Sequence, residues 1–277
     1  MGMRISTNIA SINAQRTMTS SQREIQKSFA QLSSGSRITK AADDAAGLGI
    51  SENLRSQARS LTQASRNAND GISMVQVAEG GLNEVSNILT RMRELGIQAS
   101  SDTVGDREKG YIDNEVQQLK NEVQRISKTT VFGTRNLLDG SGETYNIQVG
   151  INNDDFNDRI SFDASVLDST TSTLGIEGLD FSSKEGAQDA LMVVDEAQSK
   201  VAGYRANIGA LQNRFASTVE NLGTQFENIS AANSRIRDTD IASASAEAAR
   251  NTVLLQASTS VLAQANQTPS LALKLLG

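Results

Sequence analysis

Two adjacent carboxylates, Asp43 and Asp44, stand among three glycines, Gly35, Gly47 and Gly49, in the stretch SGSRITKAADDAAGLGISENLRS. Paired acids perform general acid–base work when one of them is forced to keep its proton. That chemistry needs a cleft and a third group, and the flanking residues supply neither. The chain has no His and no Cys, which removes the commonest general base, the commonest thiol nucleophile and the usual zinc and copper ligands. No nucleophile–base pair, phosphate loop or metal-ligand cluster stands out elsewhere, so the sequence predicts a protein that is not an enzyme and takes no cofactor.

The same residues suit a joint between two elements. Acids at a helix start cap free N–H groups and complement the helix dipole. Gly35 is placed to end one helix, and Gly47 and Gly49 to let another pack closely, at a cost of ~1 kcal/mol each in helix propensity. A short echo supports this reading: Ser36-Arg37-Ile38 precedes Asp43 and Asp44, and Ser234-Arg235-Ile236 precedes Asp238 and Asp240. Arg37 and Arg235 are expected to pair with acids on the facing arm.

The elements that flank this joint announce themselves by period. From Leu54, every seventh residue reads Leu54, Leu61, Ala68, Val75, Leu82, Leu89, with a companion seam at Ala64, Ala78, Val85, Met92 and Ala99. Near the other end, Val194, Val201, Ile208, Phe215, Leu222, Ile229 and Ile236 form an unbroken series, with Ala197, Tyr204, Leu211 and Ala232 beside it. Sustained seven-residue spacing predicts coiled-coil helices, over about 44–100 and 186–235, roughly 85 Å and 75 Å long. Residues 104–129 predict a shorter helix, with Val116, Leu119, Val123 and Ile126 on one face. A change to period two follows at Tyr145, Ile147 and Val149 and again at Ile160 and Phe162, with Gly, Asn and Asp between, which predicts a β-hairpin inside a β-region of about 140–182. The Ser/Thr/Gly-rich stretch 165–185 is expected to be turn and loop, and its run 169–173 is a plausible O-glycan site.

Composition narrows the class. Aromatic residues make up 4%, Trp is absent and Pro269 is the single proline, so a large ring-filled globular core is not expected. A net charge of −6 argues against nucleic acid as the main partner. No apolar run approaches the roughly 20 residues of a membrane span, and the N-terminus lacks the apolar stretch of a cleaved signal peptide. The two ends carry thin stripes, Ile5, Ile9, Ile12, Ile25, Phe29 and Leu32 in one and Ile241, Ala248, Leu255 and Leu262 in the other. Neither stripe buries enough surface alone to offset its ordering entropy, so both arms are expected to order only against each other and against further copies.

Several long motifs resemble one family. RISTNIASINAQR, LSSGSRITKAADDAAGLGIS and NANDGISMVQVAEGGLNEVSNILTRMRELGIQAS in the first half, with GALQNRF, SRIRDTDIA and QASTSVLAQANQTPSLALKLL in the second, are similar to bacterial flagellins over nearly the whole chain. The resemblance implies a mainly α fold of long antiparallel coiled-coil helices with a small β-hairpin region, and terminal helical arms that order on assembly. It divides the chain into an N-terminal arm (1–43), a rod domain (44–235) and a C-terminal arm (236–277). It implies a subunit that polymerises with itself into an extracellular flagellar filament, is exported unfolded by the flagellar export apparatus, and meets a flagellin chaperone and hook-associated and cap proteins. A hook–filament junction protein is the alternative.

By the same resemblance, Ile5, Ile9, Ile12, Leu32, Ile241, Leu255, Leu262, Leu273 and Leu276 are expected in the filament-core coiled coil, and Arg37, Asp43, Asp44, Arg235 and Asp238 at the joint. Larger members insert outer domains after a Leu-Gly pair like Leu174-Gly175; here GLDFSSKEG leads almost at once into the last long helix, so such domains are absent. Arg91, Leu95 and Glu115 match the family's contact with the innate immune receptor TLR5, or else a contact between protofilaments. Leu95 lies off the seam of Leu89 and Met92, and is expected as an exposed apolar anchor four residues from Arg91.

Overall fold

The seven-residue series produce helices of the expected length. The computed structural model describes residues 7–276, with side chains described over 7–267. In chain order it contains α1 (Ile9–Ser34), α2 (Ala45–Ala99), α3 (Asp106–Thr129), the short strands β1 (Val131–Phe132) and β2 (Arg135–Asn136), β3 (Thr144–Gln148), β4 (Arg159–Asp163), α4 (Lys184–Arg237) and α5 (Ile241–Leu276). The 55 residues of α2 span about 80 Å at 1.5 Å per residue. Two compact units emerge, one formed by residues 1–56 with 228–277, the other by residues 57–227.

The second unit carries one continuous core. Leu82, Val85, Leu89 and Met92 of α2, Val116 and Val123 of α3, and Val194, Val201, Ile208 and Phe215 of α4 are all fully buried members of it. These are the residues whose spacing predicted them. Three glycines of α2 act as notches for bulky neighbours. A Cβ on Gly71 would sit 2.9 Å from the Phe215 ring, one on Gly81 would sit 2.7 Å from Leu138 and Thr130, and one on Gly96 would sit 2.9 Å from Leu191. The helix tolerates three weak formers because each admits a side chain that a larger residue would exclude.

The β-region caps this core. β3 and β4 pair antiparallel with Tyr145 opposite Phe162 and Ile147 opposite Ile160. Phe162 and Ile160 face inward, and the rings of Tyr145 and Phe162 stack at 6.4 Å. The Arg135 guanidinium lies 4.7 Å from the Tyr145 ring centre, a cation–π contact. The turn between the strands is built from Asp and Asn: Asp154 Oδ1 accepts the backbone N–H groups of Phe156 and Asn157 at 2.9 Å.

The stretch 165–185 has no strand, and α4 begins only at Lys184, as expected of a connection, but it is not a surface loop. Leu167, Leu174, Ile176, Leu179 and Phe181 are buried in the core, and Ser169 is fully buried with its hydroxyl donating to the Leu138 carbonyl. Thr171 donates to Gln124 Oε1 and Thr173 to Asp168 Oδ2, whereas Ser172 is exposed. Phe162, Phe181 and Phe215 are the largest fully buried side chains, and these three rings fill what a composition so poor in aromatics seemed unable to fill.

The close approach at Gly71 makes a direct prediction. Gly71→Ala forces its Cβ against Phe215, and should lower the unfolding free energy by about 1–3 kcal/mol despite the better helix propensity of alanine. Urea unfolding followed by circular dichroism measures this; an unchanged or raised midpoint would show that the Phe215 ring is free to shift away.

Candidate functional site

In the first unit, α1 and α5 pack along each other in opposite directions, and their seam is made mostly of small residues. On α1 the seam positions are Ser11, Ala14, Met18, Ser21, Ile25, Ser28 and Leu32, with Gln31 half-buried beside them; on α5 they are Ala244, Ala248, Asn251, Leu255, Ser258, Leu262 and Ala265. Both sets step by three and four, a coiled-coil seam. Asn8 caps α1, its Oδ1 accepting the Ser11 N–H at 3.1 Å, and its Nδ2 donates to the Ala265 carbonyl at 2.8 Å. The Ser11 hydroxyl donates to Asn266 Oδ1 at 3.0 Å. These two cross-helix bonds fasten the distal end of the pair.

The apolar residues expected in this coil divide into two groups. Leu32, Leu255 and Leu262 are half-buried on the seam. Ile9, Ile12 and Ile241 are not: they are 58%, 54% and 64% exposed, and Phe29, Val253, Leu254 and Val261 are exposed with them. The reason lies in the period. The seam runs through Ser11 and Ala14, and Ile9 and Ile12 fall on the helix faces beside it. Ile5 lies outside the described residues, and Leu273 and Leu276 outside the described side chains. Apart from Ala248, sequence reading missed the seam's serines and alanines because small residues carry little hydropathy signal; their three-and-four spacing was the clue that remained.

The joint is assembled from both arms. Gly35 ends α1 with φ of 67°, the left-handed conformation that glycine adopts without strain. Ser36 and Asp238 form an antiparallel bridge, the Arg37 N–H donates to the Arg237 carbonyl at 2.7 Å, and the Thr239 N–H donates to the Gly35 carbonyl at 3.0 Å. Asp44 Oδ1 accepts the Gly47 N–H at 2.8 Å and caps α2. Asp43 Oδ2 accepts from the Thr39 hydroxyl at 2.9 Å and from the Lys40 and Thr39 N–H groups. Both carboxylates are thus committed to backbone geometry, and neither faces the other as an acid–base couple. Gly47 is a close contact, its absent Cβ leaving room for Ile38 and for the Asp44 carboxylate, but nothing approaches Gly49.

Two pairing expectations at the joint are corrected. Arg37 makes no ion pair among the described residues; its guanidinium donates to the Ile236 carbonyl at 2.8 and 3.2 Å. The ion pair belongs to Arg237, which meets Glu52 at 2.6 Å, while Arg235 is exposed and makes no ion pair among the described residues. A three-residue echo placed Arg235 in register with Arg37, but one more turn fraction of α4 brings Arg237 to the inner side.

The Arg91 region is also revised. Arg91 is exposed and bonds Glu94 and Glu115 at 3.0 Å, which ties α2 to α3 and raises the guanidinium's affinity for its proton through those two carboxylates. Leu95 is 2% exposed and belongs to the core. It lies off the Leu89–Met92 seam yet belongs to the same core as residues of α3 and α4, α2 burying both Leu95 and Gly96 at this turn. The exposed apolar residue of this turn is Ile97.

The Thr39 hydroxyl and the Lys40 and Thr39 amides lower the proton affinity of Asp43, and Lys184 and Arg125 do the same for Asp102 and Glu122. Groups lowered on folding stabilise the folded state above their ordinary values, 3.8 for Asp and 4.5 for Glu, and lose that contribution as pH falls through the lower folded values. With no histidine in the chain, thermal midpoints should be flat between about pH 6 and 8 and fall only in the acid range. Leu95→Ala should cost about 2–5 kcal/mol as a core truncation, whereas Arg91→Ala should change stability by at most about 1 kcal/mol. Calorimetry across pH and on both variants checks these outcomes.

Residues 5–143 match the family described as the bacterial flagellin N-terminal helical region, and residues 191–276 match the bacterial flagellin C-terminal helical region. The chain is similar to a flagellin of Halalkalibacterium halodurans, with 44% identity covering 99% of this chain and 100% of that one. It is similar to the flagellar filament core protein flaB2 of Brachyspira hyodysenteriae at 40% identity over the same shares of each chain. Among solved structures, Bacillus cereus flagellin superposes with a TM-score of 0.51 at 29% identity, covering 61% of this chain and 94% of that one.

Proposed function

We propose that this chain, which belongs to the bacterial flagellin family, is the structural subunit of a flagellar filament: a copy that polymerises with other copies of itself. The observation that carries the reading is the placement of the large apolar residues on the arms. Ile9, Ile12, Phe29, Ile241, Val253, Leu254 and Val261 point away from the seam that α1 and α5 share. Two helices whose shared seam is built mostly of serine and alanine with a few larger residues still show isoleucine, valine, leucine and phenylalanine to water, and so carry large apolar residues on their outer faces. Stacked copies would bury these faces.

On this reading the arms, 1–43 and 236–277, form the filament core, and 44–235 forms the surrounding shell. Ile9, Ile12 and Ile241 act between copies, and Leu32, Leu255 and Leu262 hold the two arms of one copy together. Ile5, Leu273 and Leu276, outside the described side chains, are assigned to the filament core with them. The polymer lies outside the cell. Export in an unfolded state, a chaperone for the C-terminal arm, and hook-associated and cap proteins as assembly partners accompany the family membership, and the chain carries no catalytic activity. Recognition by the receptor TLR5 would rest on the exposed Arg91 and Glu115, with Leu95 supporting them from below.

The junction-protein alternative has a likeness of fold: a structure described as a putative flagellar hook-associated protein from Vibrio parahaemolyticus superposes with a TM-score of 0.59. Its identity is only 13%, which speaks to fold alone, whereas flagellins match at 44% over the whole chain.

Electron microscopy of a salt-seeded solution of the purified chain tests the proposal; micrometre filaments are expected, and persistent monomers would overturn it. Ile12→Asp and Leu262→Asp should both be secreted but fail to polymerise, the first by placing a charge between copies and the second by placing one in the seam. Sedimentation of culture supernatants measures this, and normal filaments from either variant would remove that residue from the assembly surface.

A further inference from the structure

The turn between β3 and β4 holds an aromatic ring out in water. Phe156 is 83% exposed, more than any other large apolar side chain among the described residues. The turn that carries it is not slack. Asp154 Oδ1 takes the Phe156 and Asn157 N–H groups, and the Asp158 N–H donates to the Asp154 carbonyl at 3.0 Å. The Asp158 carboxylate accepts the Asn152 and Asp154 N–H groups at 3.3 and 3.1 Å. Asp158 is itself buried, and its approach to Gly150 leaves no room there for a Cβ. The backbone is thus fixed on both sides of Phe156, and the ring is presented with little ordering left to lose on contact.

The same unit, residues 57–227, carries a hollow of matching character. Between β4 and α4 lies a cavity of about 190 Å³, walled by Phe162, Val166, Leu167, Ile208 and Leu211, with Asp163 and Asn207 exposed at its mouth. An apolar cavity of about 150 Å³ admits a benzene ring, so this one has room for a phenylalanine side chain. One copy cannot fill its own cavity: the ring lies past one end of β4 and the cavity at the other, about 13 Å along the strand. Charge favours a second copy of the chain as the occupant. Residues 152–158 hold Asp154, Asp155 and Asp158 and no cation, and Arg159 beside them pairs with Asp155. The α4 stretch 197–219, which walls the cavity, holds Lys200, Arg205 and Arg214 and no acid. Lys200 pairs with Glu196, but Arg205 and Arg214, each one turn from a cavity residue, are exposed and make no ion pair among the described residues. Asp163, an acid at the mouth, is held by the Ser165 N–H and hydroxyl. We propose that Phe156 inserts into the β4–α4 cavity of a neighbouring copy, with its acidic turn against Arg205 and Arg214 of that copy. The contact joins two different surfaces, so it repeats from copy to copy along an open array.

This contact deepens the filament reading and rests on it. The readout is the critical concentration for polymerisation, measured by sedimentation of the full-length chain. Phe156→Ala should raise it about tenfold. Val166→Trp and Asn207→Trp, which fill the cavity from its β4 and α4 sides, should each do the same. All three positions are exposed, so urea midpoints should match the parent's. Combining Phe156→Ala with Val166→Trp should raise the critical concentration no further than either change alone, because both remove one contact. The proposal is overturned if Phe156→Ala polymerises like the parent, if both cavity variants do so, or if the combined variant shows the two effects multiplied. Each of those results, obtained beside a parent chain that polymerises, leaves the filament reading standing. A parent chain that never sediments as polymer overturns the filament reading and this contact with it.

Discussion

A helix pair held by serine and alanine gains little from its own burial. Each seam position of α1 and α5 that is Ser or Ala removes far less apolar surface from water than a leucine would, while ordering its backbone costs ~1–2 kcal/mol per residue. The second unit obeys the opposite arithmetic: its seams are Leu, Val, Met and Phe, fully buried along α2, α3 and α4. One chain thus contains a part that is self-sufficient and a part that is not. The polymer follows from that asymmetry, because the arms leave Ile9, Ile12, Phe29, Ile241, Val253, Leu254 and Val261 on faces that other copies can cover.

The joint shows how a turn within the first unit is made. Its contacts are hydrogen bonds of backbone and short polar side chains: the Ser36–Asp238 bridge, the Asp44 cap and the Asp43 clamp. Such contacts fix direction without demanding a large buried area. The same carboxylates that first suggest acid–base chemistry serve here as acceptors for N–H groups that no helix would otherwise satisfy.

Much of this was legible in the residues. Seven-residue series located α2 and α4 to within a residue or two, and alternation located β3 and β4, because a period records which face is buried. The long motifs located the family. What was not legible follows from the same logic. Leu95 was misplaced because α2 buries the adjacent positions 95 and 96 at that turn, and a single heptad frame describes one stripe. Leu167, Ile176 and Phe181 were missed because an irregular segment has no period to read. The arm stripes mixed seam residues such as Leu32, Leu255 and Leu262 with Ile9, Ile12 and Ile241 from the faces beside the seam, because hydropathy draws attention to isoleucine, whereas close helix approach is marked by serine and alanine. Arg37 and Arg237 exchange the roles expected of Arg37 and Arg235, a difference that depends on where α4 ends.

The clasp between Asn8 and Ala265 joins positions 257 residues apart, whereas the Asp44 cap spans three and the Asp43 clamp four. Loop-closure entropy separates these events in time. Helix starts at the joint can nucleate within a few residues of chain as it emerges, but the arms cannot meet until both termini are present. A subunit of this design becomes adhesive last, after everything that does not need a neighbour has already formed.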